Sequence, residues 1–130
     1  LLLGGVGDDL LIGGAGRDDL RGERDDDTYL VDDASEIGRA RLDPGVDLVK
    51  ASVSYVLGPH QEHLTLTGSA ALDATGNAGV NTLLGNAGAN RLNGGAGADS
   101  LRGGAGNDVL VFDSADLVQS GGTGNDTLLF

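Results

Sequence analysis

Apolar residues return along this chain once every nine positions, and around each of them apolar and polar residues alternate over a short stretch. Leu11, Leu20, Tyr29, Leu83, Leu92, Leu101, Leu110 and Leu128 share one place in that period, the eighth position of units that begin at Gly4, Gly13, Gly22, Gly76, Gly85, Gly94, Gly103 and Gly121. Alternation over so few residues predicts short strands with the eighth-position side chain inward, since a helix needs apolar residues at i, i+3 and i+4. Each strand is preceded by a glycine-rich turn of the form Gly-Gly-x-Gly-x-Asp, clearest in Gly94 to Asp99 and Gly103 to Asp108. The expected core is a narrow leucine column, one side chain per unit. The outward positions read Leu10, Ile12, Asp19, Arg21, Arg91, Asn93, Ser100 and Arg102, which is no threonine ladder. Val109, Val111, Leu129, Leu10, Ile12 and Leu30 project outward as apolar residues and call for cover or for an assembly partner.

The period has irregular passages. In Gly22 to Val31, Asp25 stands where the fourth-position glycine belongs, so that turn has to accept a side chain in a left-handed conformation. From residue 32 to 75 the glycine turns fade, but Asp47 to Ala51, Val53 to Leu57 and Leu64 to Leu66 still read as strands, punctuated by Pro44-Gly45 and Gly58-Pro59. Val31 to Thr75 is 45 residues, a multiple of nine, and the frame resumes intact at Gly76. We therefore expect the coil to continue there with longer, metal-free corners. The units at Gly76 and Gly85 carry Asn81 and Asn90 in place of the sixth-position aspartate, and Phe112 to Ser120 is a degenerate spacer. The whole is expected to be one domain over 1–130, with regular units in 1–31 and 76–130 and a degenerate segment in 32–75.

Composition sharpens this picture. Twenty-four glycines and four aromatic residues leave little for an ordinary large-side-chain core. Twenty acidic against eight basic residues give a formal charge of −12, with the acids concentrated in turns, which argues against nucleic acid and for a cation. Cysteine is absent, which excludes disulfides and thiolate chemistry, and no apolar run approaches membrane-spanning length. The open pattern at both termini predicts a segment of a longer protein or a subunit covered by neighbours. His60 and His63 flank Glu62 without a third convergent ligand and are expected to be a solvated turn. Asn125-Asp126-Thr127 matches a glycosylation triplet by accident of a short pattern. No nucleophile elbow, zinc helix, phosphate loop or EF-hand spacing is found, so an enzyme is not expected.

The in-phase Gly-Gly-x-Gly-x-Asp nonapeptides resemble the calcium-binding β-roll repeats of RTX (repeats-in-toxin, hemolysin-type) proteins. The resemblance implies an all-β, right-handed parallel β-roll or β-helix solenoid, with two short strands and two turns per 18-residue coil. Units 18 residues apart then stack roughly 4.8 Å apart. Hard oxygen ligands in flexible number suit Ca²⁺ better than Zn²⁺ or Mg²⁺. By this resemblance several Ca²⁺ ions lie between stacked turns, held by backbone carbonyls and sixth-position carboxylates. The implied carboxylates are Asp9 with Asp27, Asp108 with Asp126, Asp18 with Glu36, and Asp99, which looks back to Asn81 as Asp108 does to Asn90. Asp25 joins them, and the turn glycines would be Gly5, Gly7, Gly14, Gly16, Gly95, Gly97, Gly104, Gly106, Gly122 and Gly124. The rows built on Asn81 and Asn90 are expected to hold Ca²⁺ poorly and to form an amide ladder along the stack instead. The family further implies a bacterial protein exported by a type I route, secreted or at the cell surface, and folded by external calcium. Three functions fit: a non-catalytic structural module such as part of an adhesin; a self-assembling fibre or layer subunit joined through identical subunits or flanking repeats at open solenoid ends; or the folding tail of a secreted protease or lipase.

Overall fold

The eighth-position side chains face one another across a flattened coil, and every described strand pairs in parallel with the strand one coil away. The computed structural model describes residues 1–38 and 45–130, without the side chains of 37, 38 and 118. Numbered in chain order, the strands among the described residues are β1 to β15. One face is a seven-stranded sheet of β2 (Leu10–Ile12), β4 (Thr28–Val31), β6 (Leu48–Ala51), β8 (His63–Leu66), β10 (Thr82–Leu84), β12 (Ser100–Ala105) and β14 (Val118–Thr123). The opposite face comprises a three-stranded sheet of β1 (Leu2–Val6), β3 (Asp19–Arg24) and β5 (Ile37–Gly38), and a five-stranded sheet of β7 (Tyr55–Val56), β9 (Asp73–Thr75), β11 (Arg91–Asn93), β13 (Val109–Val111) and β15 (Thr127–Leu129). No helix is present among the described residues, and the molecule is a β-solenoid of about seven turns.

Register shows how the irregular middle keeps the frame. On the seven-stranded face the inward partners run Leu11, Tyr29, Val49, Leu64, Leu83, Leu101, Gln119. The outer steps are 18 residues, but from Tyr29 to Leu83 they are 20, 15 and 19, which together span the 54 residues of three regular coils. Strand pairing tolerates this because the strand residues, not the corners, carry the ladder. Strand Leu48–Ala51 falls within the expected Asp47 to Ala51, and the expected Val53 to Leu57 shrinks to Tyr55–Val56. Asp73–Thr75 pairs with Arg91–Asn93, a strand the sequence pattern did not predict. Of the Pro44-Gly45 turn, Pro44 lies outside the described residues.

Leu11, Leu20, Tyr29, Leu83, Leu92, Leu101 and Leu110 are all essentially buried, with Val49, Leu64 and Ala74 filling the same column in the middle coils. Burying each large side chain contributes about 1.5–3 kcal/mol. Tyr29 also accepts a hydrogen bond at its hydroxyl from the Gly22 N–H (3.1 Å), which a leucine there could not do. Leu128 is the exception: it is in register with Leu110 but 52% exposed, because in the last coil it has a stacked neighbour on one side only. The expected spacer at Phe112 contributes an edge-on ring contact between Phe112 and Phe130 at 4.1 Å.

Candidate metal centre

The two corners of each coil place the sixth-position residue just ahead of a strand, and there a side-chain ladder connects successive coils. The Asp9 N–H donates to Asp27 Oδ1 (2.9 Å), Asn81 N–H to Asp99 Oδ1 (2.7 Å), Asn90 N–H to Asp108 Oδ1 (2.7 Å) and Asp108 N–H to Asp126 Oδ1 (2.9 Å). Each carboxylate thus reaches back to the coil before its own and spends one oxygen there. The ladder also uses residues that the fixed nonapeptide frame missed: Asp27 N–H donates to Asp47 Oδ1, Asp47 N–H to Glu62 Oε2 and Asp99 N–H to Asp116 Oδ1. Gly45-Val46-Asp47 repeats the second half of the turn motif two residues out of frame, a signal visible once corner length is allowed to vary.

The second carboxylate oxygen is what makes these corners candidates for a cation. Asp9 Oδ2, Asp99 Oδ2 and Asp108 Oδ2 are buried without a hydrogen-bond partner, and among the described residues no lysine or arginine pairs with them. Each lies over the first-position glycine of its own turn. A side chain on Gly4 would meet Asp9 Oδ2 and the Gly22 carbonyl oxygen, both at 2.7 Å, and one on Gly103 would meet Asp108 Oδ2 together with the Gly121 carbonyl oxygen. An orphaned carboxylate oxygen and a carbonyl oxygen of the next coil therefore converge where glycine leaves room. A buried carboxylate oxygen without a donor is costly, and a hard cation with flexible coordination supplies the missing partner. Among the described residues no three acidic or histidine side chains converge, so carbonyls must complete any such ligand set.

Electrostatics agree with the geometry. Burial pushes the Asp99 carboxyl above its ordinary range, opposed by the hydrogen bond from the Asn81 N–H and reinforced by the charges of Asp116 and Asp113. Asp108 is raised in the same way, first by burial, against the Asn90 N–H and with the Asp126 charge. Glu36, only 4% exposed, is also raised chiefly by burial; its Oε2 accepts the Asp32 N–H (3.0 Å), its Oε1 has no partner, and Asp18 is among the charges acting on it. The Asp18 charge thus acts on Glu36, with no hydrogen bond between the two. Asp25 has φ 76° and its carboxylate accepts the Gly7 N–H (3.0 Å); Glu23 at the second position, which the sequence reading did not single out, has φ 87°.

Two kinds of turn are present. In the aspartate turns the second and fourth residues have positive φ: Gly5 and Gly7, Gly14 and Gly16, Gly95 and Gly97, Gly104 and Gly106, Gly122 and Gly124. At Gly104 and Gly106 a side chain would also meet the Asn86 and Gly88 carbonyl oxygens of the preceding coil, each at 2.6 Å. In the turns ending at Asn81 and Asn90 the corresponding residues, Asn77, Gly79, Asn86 and Gly88, have no positive φ. Asn81 Oδ1 accepts the Asn77 N–H and Asn90 Oδ1 the Asn86 N–H, both at 2.8 Å, while their amide nitrogens donate to the Gln61 and Leu72 carbonyls. The expected side-chain amide ladder is therefore replaced by amide-to-backbone bonds, because an amide carries its own donor and finds a carbonyl within reach.

A family model for the RTX calcium-binding nonapeptide repeat matches residues 1–29 and 75–110 in four copies, half of the chain. The chain belongs to the RTX calcium-binding repeat family. A comparison with curated proteins gave no match. RTX repeats bind calcium and form a structural β-roll, and the aspartate corners from Gly4 and from Gly94 to Asp108 lie inside the matched residues. The turn ending at Asp126 lies outside them but continues the same ladder from Asp108.

Proposed function

We propose that this chain is a non-catalytic module of a secreted or cell-surface bacterial protein, such as an adhesin, that calcium folds after export. Several ions bind at the corners formed by Asp9 with Asp27, Asp18 with Glu36, Asp99 beneath Asp116, and Asp108 with Asp126. Asp25 and the carbonyls of the turns containing Gly5, Gly7, Gly14, Gly16, Gly95, Gly97, Gly104, Gly106, Gly122 and Gly124 supply the remaining oxygens. Residues 1–130 act as one solenoid domain in this reading. The observation that carries it is the set of buried carboxylate oxygens without partners, Asp9 Oδ2, Asp99 Oδ2 and Asp108 Oδ2, two of which share their space with backbone carbonyls. Without a cation these groups oppose folding; with one they cross-link successive coils, so binding and folding are the same event.

Calcium titration followed by circular dichroism and sedimentation tests this. A cooperative gain of β signal in a species that stays monomeric is the expected result. Large particles that dissolve on chelation would favour a fibre or layer subunit instead. No change up to about 10 mM, past the range of extracellular calcium modules, would refute the reading.

A further inference from the structure

The two asparagine turns do without a cation what the aspartate turns need one for. Asn77 Nδ2 donates to the Gly58 and Gln61 carbonyls (2.7 and 2.8 Å), and Asn86 Nδ2 donates to the Thr67 and Ala70 carbonyls (3.0 and 3.1 Å). One amide nitrogen on each edge therefore bridges two carbonyl oxygens of the coil before it. Asn81 Nδ2 adds a bond to the Gln61 carbonyl (3.3 Å) and Asn90 Nδ2 one to the Leu72 carbonyl (3.0 Å). Each clamp is fixed from behind, since Asn77 Oδ1 accepts the Gly79 N–H and Asn86 Oδ1 the Gly88 N–H, both at 2.8 Å. Six side-chain hydrogen bonds thus join the coil at 58–75 to the coil at 76–93, one clamp at each edge, and none of them uses a charged group.

We propose that residues 58–93 form a calcium-independent template, locked by Asn77 and Asn86 acting in place of bound ions, on which the C-terminal aspartate coils assemble. The junction is already built: the template presents the Asn81 and Asn90 N–H groups to Asp99 Oδ1 and Asp108 Oδ1, the first carboxylates of the next coil. Calcium then controls growth outward from a preformed edge and does not have to nucleate the first coil, the step at which ordering entropy is least compensated. The template itself follows from the amide geometry alone; only the behaviour of the flanks rests on the calcium reading above.

Amide hydrogen exchange of the full chain, read by residue in EGTA and in Ca²⁺, tests the proposal. Thr82 N–H bonds to the Glu62 carbonyl and Arg91 N–H to the Leu72 carbonyl, so both report on the template. Thr28 N–H and Thr127 N–H, bonded to the Asp9 and Asp108 carbonyls, report on the flanks. In EGTA, Thr82 and Arg91 are expected to exchange slowly and Thr28 and Thr127 at unfolded rates. If Thr82 and Arg91 exchange as fast as the flanks in EGTA and all four slow together in Ca²⁺, the template is overturned. If Ca²⁺ never slows the flanks but Thr82 and Arg91 stay slow, the calcium reading fails and the template stands. Asn77→Asp with Asn86→Asp removes the donors at nearly constant size and is expected to cut protection of Thr82 and Arg91 in EGTA by roughly tenfold or more, with recovery in Ca²⁺. Asn77→Ala with Asn86→Ala should cut it as much without recovery. Wild-type protection in both double variants would overturn the clamp.

Discussion

Replacing Asp108 with asparagine should stabilise the calcium-free protein and shrink the stabilisation that calcium brings. Asp108 is 1% exposed; Oδ1 accepts the Asn90 N–H at 2.7 Å, while Oδ2 has no partner and shares the space over Gly103 with the Gly121 carbonyl oxygen. In Asp108→Asn the amide oxygen keeps the bond to Asn90, and the amide nitrogen takes the place of Oδ2 as a donor beside a carbonyl. A buried acceptor left unsatisfied costs about 1–3 kcal/mol, more when charged, so in chelator the variant should be more stable by about that amount. In calcium that gain is offset. At 1 mM free Ca²⁺ and a site Kd near 0.1 mM, one lost ion removes about 1.4 kcal/mol. Thermal melts by circular dichroism in EGTA and in 1 mM Ca²⁺, with calorimetric counting of bound ions, provide the assay. The expected result is more β signal than wild type in EGTA, a smaller calcium-induced shift and fewer bound ions. A variant with less β signal than wild type in EGTA, or one that keeps the full calcium shift, would refute the assignment of Oδ2 as a cation ligand.

The same burial sets the pH response. Asp99, Asp108 and Glu36 have folded pKa values raised above their unfolded ones, so the stability they contribute to the calcium-free fold is present below the unfolded carboxyl range and lost as pH rises through the raised values. Calcium-free protein should therefore gain β signal on mild acidification, whereas the calcium midpoint should rise as pH falls because protons and ions compete for the same oxygens; a calcium midpoint independent of pH across that window would contradict this. Leu101→Ala empties a fully buried place in the column and should cost about 2–5 kcal/mol in urea unfolding at saturating Ca²⁺. Gly106→Ala should cost at least about 1–2 kcal/mol, since φ is 114° and the new methyl group meets the Gly88 carbonyl, and should weaken the neighbouring calcium turn in the same titration.

What the amino-acid sequence alone determined was whatever repeats within a unit. The eighth-position leucines are inward because alternation over three residues admits no other face, and the sixth-position aspartates sit at the corners because the glycines before them demand a turn. Both follow from local stereochemistry and were legible in the regular units, from Gly4 to Tyr29 and from Gly94 to Leu110. The middle was legible only as a length. Val31 to Thr75 kept the nine-residue frame, but the steps of 20, 15 and 19 residues that carry Tyr29 to Leu83 across it, and the entry of Asp47, Glu62 and Asp116 into the carboxylate ladder, depend on which corner lies over which. Stacking alone decides that, because strand pairing fixes the coils in register and lets corners vary. The asparagine turns are the sharpest case. Asn81 and Asn90 were readable as poor calcium ligands, yet the roles of Asn77 and Asn86 exist only through carbonyls 16 and 19 residues earlier in the chain. A side-chain amide has both a donor and an acceptor, and only the neighbouring coil determines where each is spent.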